Sequence, residues 1–162
     1  MKVIVVEDEV RIREGIRDLI DMLEDEWEFA GEAENGEAGL ELIRSIQPEV
    51  VITDIRMAKM DGLEMLEAAR AEGLDVKAVV LSAYSEFEYA RTAMKMGVTE
   101  YLLKPVSIDE FFKALEHIRT QIEKEKQQQP DMLGSLEQVI SAVVYGQLEP
   151  DEEIGTYLKS RY

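Results

Sequence analysis

The sequence predicts an α/β chain: a five-stranded parallel sheet with helices on both faces, followed by a C-terminal helical extension. Three observations carry that prediction. Within residues 1–125, short apolar or β-branched runs alternate with segments of helical period, which demands right-handed strand–helix–strand crossovers. The runs KVIVV (2–6), past its opening lysine, and VVIT (50–53) are apolar or β-branched throughout, as strands covered on both faces are. Helix-opening boxes, a capping side chain with glutamate three residues later, recur at Asp61/Glu64, Ser85/Glu88 and Ser107/Glu110.

Lys2–Val6 reads as the first strand and runs straight into Glu7, Asp8 and Glu9. Ile12, Ile16, Leu19, Ile20 and Leu23 then mark one face of a helix. Trp27–Glu34 alternates more than the other runs and is placed near a sheet edge. Asn35-Gly36 turns the chain into a helix whose face is Ala38, Leu40, Leu42, Ile43 and Ile46, and Pro48 ends it. Val50–Thr53 is the third strand, with Asp54 at its tip. After Asp61-Gly62, Leu63, Leu66 and Ala69 point inward from the next helix. Val76–Leu81 is the fourth strand, and the helix opened by Ser85 closes at Gly97 in a left-handed cap. Tyr101–Leu103 is a short fifth strand broken by Lys104-Pro105. The helix after Ser107 carries Phe111, Phe112, Leu115, Ile118 and Ile122.

Glu123–Gln129 offers no inward residue and Pro130 follows it, a solvated helix end running into a linker. The expected division is therefore a first domain at 1–126 and, at 127–162, a polar linker with a helical extension. There Leu133, Leu136, Ile140, Val143 and Val144 recur at helical spacing, and Ile154, Tyr157 and Leu158 line one side of a piece opened by Glu149-Pro150-Asp151. So short a segment cannot bury two such faces alone, so they pack on the first domain, on another copy or on a missing partner.

Composition narrows the function. A hydrophobic fraction of 46% is enough for a core. Thirty-five acids against 18 bases, a net charge of −17, exclude a basic face for gripping nucleic acid directly. The absence of cysteine excludes disulfides and thiolate metal sites. No run is long and apolar enough to cross a bilayer, and MKVIVVEDE is a strand start rather than a signal peptide, so a cytoplasmic chain without a membrane role is expected. His117, the single histidine, has polar neighbours and reads as a surface residue, and the methionines read as loop and core fillers.

In open parallel sheets ligands bind beyond the carboxyl ends of the strands. Glu7, Asp8, Asp54, Ser82 and Lys104 each follow or end a strand, so the topology gathers them on one edge. Converging carboxylates repel one another unless a cation lies among them, and oxygen donors alone suit Mg²⁺. The first loop is acidic and no G-x-G-x-x-G follows the first strand, which excludes a dinucleotide site. An aspartate beside Mg²⁺ can attack phosphorus and form an aspartyl phosphate. That transfer needs positioning and neutralisation of charge on the phosphoryl oxygens, which an ammonium at Lys104 and a hydroxyl at Ser82 supply.

The acidic pair Glu7-Asp8, the segment VVITDIRMAKMDGLEML (50–66), Ser82-Ala83 and Lys104-Pro105 together resemble a two-component response-regulator receiver domain. Within that family, EFEYARTAMKMGVTEYLLKPV (86–106) resembles receivers joined to AraC-type DNA-binding domains. The resemblance implies a flavodoxin-like sheet of order 2-1-3-4-5. It implies that Asp54 accepts phosphate from a histidine kinase or a small phosphodonor, and that Asp8, Asp54 and the backbone carbonyl of Arg56 hold Mg²⁺, with Glu7 acting through a bound water. Ser82 and Lys104 would bind the phosphoryl group, Lys104-Pro105 would be cis, and Tyr101 would be the switch aromatic. The face made by 86–96, 101–103 and 107–124 would then change, pairing two copies or releasing an output. The C-terminal helices are a second route to a homodimer, and DNA would be reached only through an output domain outside this chain, the extension being the start of its connector. One departure is Ala58, where such receivers usually carry proline after the methionine. Two rivals use similar parts. A haloacid-dehalogenase-type phosphatase also needs an aspartate, a lysine and Mg²⁺, but usually places a second aspartate where this chain has Arg56. A pseudo-receiver that is never phosphorylated would not need the intact Asp8, Asp54 and Lys104.

Overall fold

The computed structural model describes residues 1–23, 25–83 and 87–144, with Phe87 and everything beyond residue 128 as backbone only. Ten elements alternate along the chain: β1 (Lys2–Val6), α1 (Val10–Asp21), β2 (Glu28–Ala33), α2 (Gly36–Ile46), β3 (Val50–Asp54), α3 (Gly62–Ala71), β4 (Lys77–Ser82), α4 (Phe87–Lys95), β5 (Glu100–Leu103) and α5 (Ile108–Val144). The sheet has the order β2-β1-β3-β4-β5 and every pairing is parallel, the flavodoxin-like arrangement. The register sets Val6 beside Thr53, Asp54 beside Leu81 and Ser82 beside Leu103. The carboxyl ends of the strands therefore finish level, which is what brings their loops together.

The apolar runs become central strands because both faces are covered. On one face Ile4, Val6, Val51 and Val80 pack with Leu40 and Ile43 of α2, Met65, Leu66 and Ala69 of α3 and Ala93 of α4. The alternate residues Val3, Val5, Ile52, Val79 and Leu81 are equally buried, and the inward residues Ile16 and Ile20 of α1 and Phe111, Leu115 and Ile118 of α5 are buried as well. Two of the three expected opening boxes fall among the described residues and are present. Asp61 and Glu64 form a reciprocal capping box, and Ser107 exchanges hydrogen bonds with Glu110. Gly97 takes φ 71°, with the Val98 N–H donating to the Ala93 carbonyl at 3.1 Å, a Schellman closure of α4.

Several boundaries differ from the sequence reading. β2 is one residue shorter at each end than Trp27–Glu34, although Trp27 stays buried. β3 runs on through Asp54, β4 lies one residue later at Lys77–Ser82, and β5 begins at Glu100. Ala38 is exposed, because Asn35 caps α2 by accepting the Ala38 N–H at 3.0 Å and so turns that first-turn residue outward; Gly39 takes the inward place. The helix end expected at Pro130 is also corrected, since α5 continues through it to Val144. A proline forfeits one intrahelical hydrogen bond, and the Glu, Lys, Gln, Met and Leu flanking it are strong helix formers. Ser85 and the segment 149–158 lie outside the described residues, as do the side chains of 133–144.

The chain divides into two compact units, Met1–Ile118 and Arg119–Tyr162. The first holds the entire sheet. The second begins within α5. Among the described residues no helix is long and apolar enough to cross a membrane.

Phe111 is 1% exposed and Met94 is 71% exposed. Phe111→Ala is expected to cost about 3–5 kcal/mol of unfolding free energy. Met94→Ala should stay within about 0.5 kcal/mol of the parent, and urea midpoints at unchanged slope compare the two directly.

Candidate functional site

β1 delivers Glu7 and Asp8, β3 delivers Asp54, β4 delivers Ser82 and the end of β5 delivers Lys104. Glu7 is fully buried, and its N–H continues the sheet by donating to the Ala33 carbonyl at 3.0 Å. Asp54 is nearly buried, with Oδ1 accepting the Ile55 N–H at 2.7 Å. Lys104 is held in place by its own N–H, which donates to the Ser82 carbonyl at 2.7 Å, and the peptide to Pro105 is cis.

From there the Lys104 side chain reaches back across the sheet edge. Its Nζ lies 3.0 Å from Glu7 Oε2 and 3.1 Å from Asp54 Oδ2. Carboxylate oxygens of Glu7, Asp8 and Asp54 all lie within 4.8 Å of one another. Ser82 is fully buried at the same edge, with Oγ donating to the Ala83 carbonyl at 3.1 Å. Tyr101 stands apart from this cluster, half-buried against the hydrophobic core. The Arg56 side chain is turned to α4, its guanidinium 5.6 Å from the centre of the Tyr89 ring. His117 is exposed and paired with Glu100.

The electrostatics follow from burial and from counting charges. Burial pushes the Glu7 carboxyl up to about 7; hydrogen bonds from Lys104 and the Glu9 N–H oppose the rise and the Asp54 charge adds to it. Asp54 is likewise raised, first by burial and then by Asp8, against the pull of Lys104 and the Ile55 N–H. Burial works against the Lys104 charge, but its contacts with Glu7 and Asp54 together outweigh that and hold its pKa above the usual value. One ammonium among three carboxylates leaves the cluster short of positive charge. The donors are all hard oxygens, and that set fits Mg²⁺.

Two participants escaped the sequence reading, and a third has a contact beyond the role expected of it. Glu7 was expected to act at the metal, but here it is also a direct partner of Lys104. Arg13 braces the acidic loop, donating from Nη1 to the Glu7 carbonyl at 2.6 Å while its Nε lies 3.3 Å from Glu32. Thr53 Oγ1 donates to the Asp54 carbonyl at 2.8 Å. A hydroxyl inside an otherwise apolar strand was a legible signal for Thr53; nothing in the local pattern marks Arg13.

A family model for the response regulator receiver domain matches residues 3–116. The chain belongs to the response-regulator receiver family. It is 39% identical over 129 residues to the uncharacterized transcriptional regulatory protein YesN of Bacillus subtilis, covering 76% of this chain and 34% of that one. It is 37% identical over 113 residues to the nitrate/nitrite response regulator protein NarL of Escherichia coli, covering 70% of this chain and 52% of that one. The chain thus spans about a third to a half of the length of the curated relatives it matches. Among solved structures, the receiver domain of AraT, a response regulator from Geobacillus stearothermophilus, is similar with a TM-score of 0.72 at 37% identity, covering 77% of this chain and 97% of that one. A response regulator receiver domain protein from Clostridium thermocellum is similar with a TM-score of 0.66 at 28% identity, over 78% and 97% of the two chains.

Glu7 gives the site a pH signature. Its folded pKa of about 7 lies above the ordinary 4.5, so the folded chain binds more protons between those values. The stability it contributes is complete below 4.5 and is lost as pH rises through 7. In metal-free buffer the melting temperature of Glu7→Gln should therefore fall less than the parent's between about pH 5 and pH 8. Equal falls in the two proteins would contradict this assignment.

Proposed function

We propose that this receiver domain is a phosphorylation switch in which Asp54 accepts a phosphoryl group from a histidine kinase, or from a small phosphodonor, in a Mg²⁺-dependent reaction. The observation that carries this reading is the placement of the Lys104 ammonium 3.1 Å from Asp54 Oδ2 inside a cluster of three carboxylates. Asp8, Asp54 and the Arg56 carbonyl would hold the metal, and Glu7 would act through a bound water. When bound, Mg²⁺ supplies neutralisation of charge on the phosphoryl oxygens. An Asp54 oxygen forms the new bond to phosphorus as the bond from phosphorus to the donor atom breaks, and the electron pair leaves with that atom. Lys104 takes one phosphoryl oxygen, and the Ser82 hydroxyl gives up the Ala83 carbonyl for another. The chain is an acceptor and not a turnover enzyme; at most it loses the phosphoryl group to water.

Replacing the single negative charge of the Asp54 carboxylate by an acyl phosphate that carries about two draws Ser82 and Lys104 toward it and lets Tyr101 turn inward. The result is a shift between two pre-existing states of the face formed by α4, β5 and the first part of α5. Met94, Leu103 and Ile108 are exposed apolar residues on those elements, which supports their use in pairing two copies of the chain. The C-terminal helices are a second route to the same dimer. Relatives named as transcriptional regulators support a transcriptional output. In this reading residues 1–126 are the receiver and 127–162 begin the connector to an output domain of the AraC type, through which alone DNA is reached. The switch works in the cytoplasm, away from membranes.

Beryllofluoride with Mg²⁺ mimics the phosphorylated aspartate without turnover. The wild type is expected to shift its Tyr101 and Leu103 amide resonances and to gain dimer in sedimentation, and Asp54→Asn to do neither. The same response in both proteins would overturn the proposal.

A further inference from the structure

The loop 55–61, between β3 and α3, carries the Arg56 carbonyl and sets the direction of Asp54. Its side chains are anchored by burial of Ile55 and by the Asp61–Glu64 capping box, and two glycines add close backbone contacts at its ends. At one end, the Gly62 N–H donates to the Ile55 carbonyl at 2.8 Å, and a Cβ at Gly62 would lie 2.0 Å from the Asp54 carbonyl oxygen and 2.9 Å from Thr53 Oγ1. At the other, the Gly36 N–H at the start of α2 donates to the Met60 carbonyl at 3.0 Å, and a Cβ there would lie 2.4 Å from that same oxygen. Neither glycine has a positive φ; in the described residues only Gly73 and Gly97 do among glycines. Backbone conformation therefore does not demand glycine at 36 or 62. Space does, because the main chain passes too close to admit a side chain.

We propose that Gly62 and Gly36 are positioning residues of the phosphoacceptor site, a two-point backbone clamp that fixes the loop 55–61 and with it the metal-facing oxygens of Asp54 and Arg56. The inference rests on the phosphoacceptor reading and deepens it. Between the clamped ends the loop takes a tight path, with Lys59 at φ 68° and the Met60 N–H donating to the Ala58 carbonyl at 2.8 Å. A methyl group at position 62 has a backbone carbonyl in front of it, so the obstacle cannot swing aside as a flexible side chain can. The Asp54 carbonyl must retreat by about an ångström, and Mg²⁺, which demands near-octahedral geometry, is the ligand least tolerant of that. Position 36 acts one step further off, through Met60, so its effect is smaller.

The comparison needs glycines that are equally small but placed elsewhere. Gly39 faces the core, where a Cβ would lie 2.5 Å from Met65 Sδ and 2.9 Å from a Val6 methyl, so Gly39→Ala strains packing without touching the loop. Gly15, within α1, has nothing within 4 Å and Gly15→Ala disturbs nothing. Mg²⁺ affinity of the full chain is measured by calorimetry well below each melting temperature, and hydrogen exchange of the Ile55 and Gly62 amides is measured without metal. Gly62→Ala is expected to lose about 10–100-fold in Mg²⁺ affinity, with Gly36→Ala losing less. Both should exchange those amides faster, while Gly39→Ala and Gly15→Ala keep the parent affinity. Parent-like affinity and exchange in the two loop variants, or an equal loss of affinity in Gly39→Ala, would overturn the clamp. If Gly62→Ala does not fold, Gly36→Ala decides alone. If the parent itself binds no Mg²⁺, the phosphoacceptor reading fails and the metal-free exchange still decides the clamp.

Discussion

The Lys104 ammonium, lying 3.0 Å from Glu7 and 3.1 Å from Asp54, is the interaction on which the site depends. It ties the ends of β1 and β3 to the end of β5, across the intervening strand β4. Its worth is not in stability, since desolvating such a group cancels much of the attraction it gains. Its consequence is electrostatic. A single ammonium partly answers three converging carboxylates, which leaves an edge that favours a divalent cation and, with the cation, a group carrying negative oxygens. Burial raises both Glu7 and Asp54, and the neighbouring carboxylates add to the rise against the pull of Lys104.

Topology explains why that shortage arises where it does. With β1 between β2 and β3, chain connections leave β1 and β3 toward opposite faces, and a crevice opens between their carboxyl ends. Glu7, Asp8 and Asp54 occupy the two lips of that crevice. The level register, with Val6 beside Thr53 and Asp54 beside Leu81, is fixed by burial on both faces, because a slip of one residue would reverse every side chain in the core. The core therefore holds the carboxylates at their mutual distance, and the loops need only aim them.

The strands were legible because double burial leaves only apolar residues at 3–6 and 50–52, and the caps because each box satisfies identifiable backbone donors. Asp54, Asp8, Ser82 and Lys104 were legible as a set by their place at strand ends. Less was visible where the cause lies in space and not in local pattern. Nothing near Glu7 in sequence shows that Lys104, 97 residues away, would reach it. The outward turn of Ala38 follows from the Asn35 cap, which overrides the apolar count on α2. Pro130 lacks a backbone donor, a local stop signal that the strong helix formers flanking it override. Asp61 was legible as a helix cap, but nothing in the local pattern shows that glycine is required at 62 by the nearness of the Asp54 carbonyl.

The proposed function rests on one claim, that Asp54 is a nucleophile toward phosphorus and not merely a buried acid balanced by a lysine. Intact-mass spectrometry of the chain after incubation with acetyl phosphate tests it most directly. The account predicts a mass gain of one phosphoryl group that requires Mg²⁺, maps to Asp54, is lost in Asp54→Asn and is much reduced in Lys104→Ala. No gain in the wild type under those conditions, or the same gain in Asp54→Asn, would contradict it.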